Sequence, residues 1–310
     1  MKLLITGAAG FLGAALSNQF AREGHQVRGL DDLSAGDPQA LFEDVHFTRG
    51  DVNDRPKLWT LLQDVDCVYH LAARVSVSES MLYPREYNGV NVGGTVSLME
   101  AMRDVGVGRV VFISSGAVYG NQEIQPLTED AVLSPESPYA VSKLSAEYYV
   151  NTIGAIWGID TVCLRVFNAY GPGQHLPASH PPLIPNFLRQ AIRGGSLVVH
   201  GDGHQTRDFV YISDVVSAMV AAATAQDINK QIINIGSGEG TSVRVVAEKV
   251  LALTGKKADI LYTPRNNTGV SLMTADISLA KKKLGYKSRV SLEKGLEKTL
   301  AQDPRFQPKK

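Results

Sequence analysis

The twelve residues Lys2-Leu3-Leu4-Ile5-Thr6-Gly7-Ala8-Ala9-Gly10-Phe11-Leu12-Gly13 decide the fold. An apolar run of strand length ends in three glycines spaced three apart and passes directly into a helical pattern, Phe11-Glu23. Glycine permits the tight turn, and its missing Cβ lets backbone N–H groups approach an anion closely. The start of the helix adds a positive dipole aimed at the same point. Strand, glycine turn and helix in that order read as a dinucleotide-binding unit, with the pyrophosphate over Gly7, Gly10, Phe11, Leu12 and Gly13.

The next strand, Gln26-Leu30, ends at Asp31, 18 residues beyond Gly13. A carboxylate there accepts hydrogen bonds from ribose hydroxyls and repels a 2′-phosphate, which favours NAD over NADP. Asp32, Leu33 and Ser34 continue the segment, and Arg28 is the one cation nearby; a solvated turn is the alternative reading. Further out, Val45-Phe47, Cys67-Leu71, Arg109-Ser114 and Thr161-Val166 are strands, and Val90-Val105 and Tyr139-Ile156 are helices. Val/Ile/Leu strands alternating with helices predict a parallel sheet covered on both faces, an α/β Rossmann fold of the doubly wound kind. Asp51 and Val52 follow the third strand, and Leu71, Ala72 and Ala73 close the fourth with small residues against which a cofactor can lie.

Past Gly171 the pattern changes. Gly171-Pro172-Gly173, Pro177, Pro181, Pro182 and Pro185 predict a loop rich in helix breakers. Short strands at Leu197-Val199 and Phe209-Ile212 follow, with helices near Asp214-Ala225, Ser242-Thr254 and Asp276-Leu284. The expected division is a dinucleotide-binding domain over 1–170, joined by a strand or two from 209–236, and a smaller C-terminal α/β substrate domain over 171–310.

Composition narrows the function. Lys and Arg together number 31, as do Asp and Glu, so the chain lacks the basic footprint of a nucleic-acid binder. Its apolar runs fall well short of the ~20 residues that cross a bilayer, and the N-terminus lacks a secretory h-region. Cys67 and Cys163 lie in strand-like runs, as core residues rather than a disulfide pair. No metal-ligand cluster is evident, which speaks against a catalytic metal. The expectation is a soluble protein of the cytoplasm.

Tyr139 and Lys143 stand four apart at the start of a helix and share one face. An ammonium beside a phenol stabilises the phenolate and prepares it as a general base towards an alcohol. In isolation the pair suits an ordinary amphipathic helix at least as well. Ser114 and Ser115 end the fifth strand, at the edge where open α/β sheets place ligands, although serines also simply terminate strands.

Taken in order, these segments resemble the extended short-chain dehydrogenase/reductase superfamily, in its nucleotide-sugar epimerase/dehydratase branch, over nearly the whole chain. The glycine turn is similar to that family's cofactor turn, and Asp31-Asp32-Leu33-Ser34 to its ribose segment. Asn91-Val92-Gly93-Gly94-Thr95 opens a helix in the family manner, and Tyr139 and Lys143 match its YxxxK pair. Arg165-Val166-Phe167-Asn168 resembles the segment whose Asn contacts the sugar nucleotide, and Thr206-Arg207-Asp208 the one whose Arg binds a diphosphate. The resemblance implies NAD contacts at Asn91, Ser114, Tyr139, Lys143 and Val166. It implies a UDP-hexose held by Ser115, Tyr139, Asn168, Val198, His200, Arg207, Met273 and Asp276, and a homodimer joined through Val90-Val105 and Tyr139-Ile156.

The residues after Ser115 discriminate among the family's reactions. Dehydratases and decarboxylases carry acids there and epimerase-reductases a Cys, whereas this chain has Gly116, Ala117 and Val118. What the resemblance then implies is C4 epimerisation, with UDP-glucose/UDP-galactose first and UDP-glucuronate or UDP-N-acetylhexosamines as alternatives. A keto-sugar reductase and a dinucleotide sensor are the readings from other classes. Departures from the family pattern are Arg74, His200 in place of an aromatic ring, and Arg265, one residue out of register with the usual arginine, Asn266 and Gly269 taking the places of that arginine and its acid.

Overall fold

The computed structural model describes residues 1–264 and 270–307. In chain order its strands are β1 (Lys2–Thr6), β2 (Gln26–Asp31), β3 (Val45–Arg49), β4 (Cys67–His70), β5 (Arg109–Ser115), β6 (Asp160–Val166), β7 (Asn168–Tyr170), β8 (Leu197–His200), β9 (Thr206–Tyr211), β10 (Gln231–Ile235), β11 (Gly240–Ser242) and β12 (Ile260–Thr263). The helices are α1 (Phe11–Arg22), α2 (Arg55–Leu61), α3 (Val77–Leu82), α4 (Pro84–Tyr87), α5 (Gly94–Val105), α6 (Pro138–Trp157), α7 (Leu183–Ile192), α8 (Ile212–Thr224), α9 (Val243–Thr254), α10 (Ser278–Leu284) and α11 (Leu292–Gln302).

Seven strands form one sheet in the order β3-β2-β1-β4-β5-β6-β10, every pair parallel. Strands buried on both faces explain the near-continuous apolar runs. One core, with Phe20, Tyr69, Val215 and Met219, lies under α1 and α8; the other, with Leu58, Leu98, Met102 and Val150, lies under α2, α5 and α6. Strand order reverses between β1 and β4, and that reversal opens a crevice at the carboxyl ends of the strands.

Beyond β6 the chain builds a second layer. β7 runs parallel to β9, β11 antiparallel to β9, and β8 pairs with β12. A third core around Phe187, Phe209, Val246 and Leu296 supports it. The chain returns to the main sheet once, through β10 against β6. Two local expectations change. The proline-rich stretch predicted as loop becomes helix from Leu183, because Pro182 precedes the helix and Pro185 lies in its first turn, where the backbone owes no i−4 hydrogen bond. The helix expected from Val90 begins as π-helical turns over Asn88–Gly93 and becomes α-helical at Gly94.

Helix α6 shows why its sequence starts and stops where it does. Ser137 accepts from the Ala140 N–H, Pro138 takes the first position, and Gly158 ends the helix in the left-handed conformation at φ +70°.

β1, β4 and α5 are joined by a buried histidine. His70 lies between the Thr6 and Thr95 hydroxyls, at 2.7 and 2.9 Å, and only 1% of it is exposed. Burial, and secondarily the Lys143 ammonium, pushes its pKa down to about 3. The folded state therefore holds the neutral ring while the unfolded chain takes a proton near pH 6.5. Its contribution is fully present above that pH and is lost as pH falls toward 3, by about 3 kcal/mol at pH 4.5. Denaturant titrations between pH 7 and 4.5 are expected to show a shallower loss for His70→Gln than for the parent chain; equal slopes would refute this.

Candidate active site

Three glycines in the β1–α1 turn have different work. A Cβ on Gly7, where φ is +70°, would stand 2.7 Å from the Ala72 nitrogen, and one on Gly13 would stand 1.9 Å from the Gly7 oxygen. Both positions are closed by the protein's own backbone. A Cβ on Gly10 would meet only the Gly7 oxygen, at 3.3 Å. Gly10 is also the N-cap of α1 and supplies no side-chain cap. The α1 terminus thus presents its first N–H groups and its dipole toward open space. That cradle fits a pyrophosphate.

Around it, the β2 end is fixed by Asp31. Its carboxylate, 8% exposed, accepts the Ala9 N–H at 3.0 Å and the Leu33 N–H at 2.8 Å. Burial raises its pKa, and those two backbone donors oppose the rise. Two donors leave lone pairs on a carboxylate, so ribose hydroxyls still find acceptors. Asp32 takes the N–H and hydroxyl of Ser34, and Leu33 between them is left-handed at φ +65°. Arg28 turns away to the Leu61 and Gln63 carbonyls at the end of α2. It is committed there rather than to a 2′-phosphate.

Asp51 folds back on Asn53, while Val52 is buried against Gly94. Leu71, Ala72 and Ala73 lie beside the glycine turn, with the Ala72 N–H held by Thr6 at 3.2 Å. Asn91 and Ser114, both expected to touch cofactor, have their polar groups spent on the protein. Asn91, 1% exposed, takes the Arg74 N–H and donates to the Arg74 carbonyl and the Ser142 hydroxyl. Ser114, 3% exposed, donates to Glu147. Val166 is buried at the end of β6, paired in register with Ser115.

Ser115 and Tyr139 meet at the carboxyl end of β5. The Ser115 hydroxyl acts on the Tyr139 phenol to favour its ionised form, and the Ser115 oxygen accepts the Ala117 N–H at 3.2 Å. Lys143, one turn further along α6 and 3% exposed, extends over the Phe112 ring at 4.8 Å. Burial raises the Tyr139 phenol above its ordinary value, and Ser115 opposes the rise. Lys143 is itself lowered to about 8, by burial first, with Glu147 pulling the other way.

Sequence reasoning passed over what lies beneath. Glu147, 0% exposed and one turn beyond Lys143, binds Arg165 through Nε at 3.0 Å and Nη2 at 2.8 Å. Arg165 also donates to the Tyr119 hydroxyl at 2.9 Å. Removing one partner of such a buried pair costs about 3–5 kcal/mol. The 139-143-147 spacing was the available signal, since it places all three on one helix face.

On the other wall, Asn168 stands on β7, and its buried Oδ1 has no hydrogen-bond partner among the described residues. Arg207 on β9 donates to the Thr206 carbonyl, and Val198 and His200 lie on β8, His200 bonded to Thr263 at 2.8 Å. Asp208, fully buried, accepts from Ser237, Gly238 and Ala275 and so fastens the segment carrying Met273 and Asp276. Met273 is buried, and Asp276 caps Ser278 at 2.7 Å. Arg74 pairs with Glu79 at 3.5 Å and covers the Tyr87 ring. Arg265, Asn266 and Gly269 lie outside the described residues.

The glycine geometry separates folding from ligand binding. Gly10→Ala is expected to melt within a few degrees of the parent but to weaken dinucleotide binding at least tenfold by fluorescence titration. Gly7→Ala and Gly13→Ala are expected to lose several kcal/mol of stability. Equal melting losses at all three positions would contradict the assignment.

Comparison with known proteins places this site. The chain matches the NAD dependent epimerase/dehydratase family over residues 3–236. It is 34% identical to a UDP-glucose 4-epimerase of Mycolicibacterium smegmatis across 97% of both chains. It is 33% identical to a UDP-glucuronate 4-epimerase of Thermodesulfobacterium geofontis, covering 96% of this chain and 94% of that one. Among solved structures, the UDP-glucose 4-epimerase of Thermotoga maritima with UDP-glucose superposes with a TM-score of 0.93 at 32% identity, over 97% of this chain and 98% of the other. An open glycine cradle, an acid at the end of β2 and a Ser–Tyr pair at the sheet edge, in a chain this similar throughout, make the protein a member of the NAD dependent epimerase/dehydratase family.

Proposed function

We propose that this protein epimerises a nucleotide sugar at C4, with UDP-glucose/UDP-galactose as the substrate pair. The observation that carries the reading is the placement of Ser115, at the carboxyl end of β5, beside the buried Tyr139 of α6, with Gly116, Ala117 and Val118 and no acid following it. Elimination of water would need a carboxyl group just after Ser115. Gly116 and Ala117 supply no such group, and a Cβ on Gly116 would stand close against the Phe167 ring, at 3.2 Å. The relatives that act on UDP-glucose support the neutral hexose. The Arg74–Glu79 pair supports it too, since that guanidinium is already matched by a carboxylate.

The glycine cradle at Gly10 holds the pyrophosphate in the middle of the dinucleotide, and the Asp31 carboxylate holds the adenosine ribose. NAD+ held there would supply the acceptor for the C4 hydride and its donor on return, and its positive nicotinamide would favour a phenolate at Tyr139. Tyr139 takes the proton of the sugar 4-OH, directly or across Ser115, and gives it back after the keto sugar has presented its other face. Lys143 steadies the phenolate charge through that cycle. Asn168 offers its unpartnered carbonyl to the sugar nucleotide, and Arg207 supplies positive charge for the diphosphate. Val198 and His200 line the base, with Met273 and Asp276 beside the sugar. Binding energy spent on the nucleotide leaves the hexose loose enough to turn.

Two free, buried cysteines suit a reducing cytoplasm. A homodimer is supported by α6 itself, whose face away from the site exposes Val141, Tyr148, Tyr149 and Ile156. Its partner surface would be the same stripe with the 90–105 helix of a second copy.

Incubation with UDP-galactose is expected to yield UDP-glucose without net change in dinucleotide absorbance, whereas stoichiometric loss of NADH would mark a keto-sugar reductase. Tyr139→Phe should lower kcat at least a thousandfold with KM within about threefold. A variant that retains turnover would overturn the mechanism. Sedimentation should give twice the monomer mass, falling to the monomer for Tyr148→Glu/Ile156→Glu; an unchanged mass would exclude this face.

A further inference from the structure

Lys143 is buried among groups from three strands as well as its own helix. His70 of β4 is neutral, because burial lowers it to about 3. From β5 it meets the Phe112 ring. Cys163 of β6 keeps its proton, since burial raises its thiol well above the ordinary range. Arg165 of β6 is positive and bound in two places to Glu147. On α6 itself stand the raised phenol of Tyr139 and the carboxylate of Glu147. Of these groups Glu147 is the one that acts to keep Lys143 charged by a full opposite charge, at a position four residues away on the same face.

The same carboxylate is a mechanical anchor. It receives the Ser114 hydroxyl, next to Ser115, and the Arg165 guanidinium, three residues before Asn168. Ser114 and Arg165 are register partners on adjacent strands. One buried side chain therefore ties α6 to the strand ends that present both walls of the site.

We propose that Glu147 is a positioning residue of the epimerisation, the fixed counter-charge of the Lys143 ammonium and the anchor that holds Ser115 and Tyr139 in mutual register. Arg165 offsets the carboxylate's own burial and carries no direct contact with substrate. The turnover part rests on the epimerase reading; the Lys143 part does not.

The direction follows from the charges. Without Glu147 the ammonium loses its stabilising partner, its midpoint falls, and the alkaline limb of kcat moves to lower pH. A midpoint one pH unit lower than about 8 leaves about a fifth as much ammonium at pH 8. The experiment titrates 13Cε-lysine-labelled protein by NMR, with the Lys143 signal assigned by its loss in Lys143→Met, and measures kcat and KM from pH 6 to 9.5. Glu147→Gln is expected to lower the Lys143 midpoint by about one pH unit and kcat at pH 8 about fivefold, with KM within twofold. Glu147→Asp, which keeps the charge, is expected to restore the midpoint. Should Glu147→Gln fail to fold with Arg165 unpaired, Glu147→Gln/Arg165→Gln compared with Arg165→Gln isolates the carboxylate's effect at a constant residue 165, and the same downward shift is expected. A Lys143 midpoint unmoved in the folded neutral variant would overturn the proposal whether or not the protein epimerises any sugar.

Discussion

Everything in the cofactor half rests on the closeness of two backbones. The turn after β1 reaches the end of β4 at Gly7, and α1 descends onto that turn at Gly13, with no room at either point for a single added carbon. This contact aims the α1 terminus across the crevice where strand order reverses, and leaves Gly10 as the uncovered member of the three. The glycine pattern is thus two packing requirements and one ligand requirement, which spacing alone does not distinguish.

The chemistry depends on α6 in a comparable way. One face of that helix carries Tyr139, Lys143 and Glu147, all buried. A phenol and an ammonium withdrawn from water each resist charge, so a proton transfer here needs opposite charges arranged in advance. Glu147 and Arg165 form one such buried pair of opposite charges beneath this face.

Much of this was legible in the chain. Six of the seven main-sheet strands stood out because burial on both faces forces uninterrupted apolar runs, and β1 with its glycines announced the cofactor edge. α7 was obscured because prolines in a first turn look like loop until the turn is placed. Glu147 and Arg165 were missed for a different reason. Charged residues usually mark solvent, and only the pairing of a helix with a strand 18 residues away shows that these two neutralise one another. Asn91 and Ser114 illustrate the converse: their location at the cofactor edge was evident, but where their hydrogen bonds go is a tertiary property.

The two walls of the crevice have separate foundations. One wall belongs to the seven-stranded sheet, while Arg207 and Asn168 stand on a small sheet whose attachment includes the four-donor seat of Asp208 and the Leu127–Ala275 bridge. Side chains on the small sheet can therefore be exchanged without disturbing the cores beneath the seven-stranded sheet. Modularity of this sort gives a physical basis for one scaffold serving glucose and glucuronate relatives at about one-third identity to this chain.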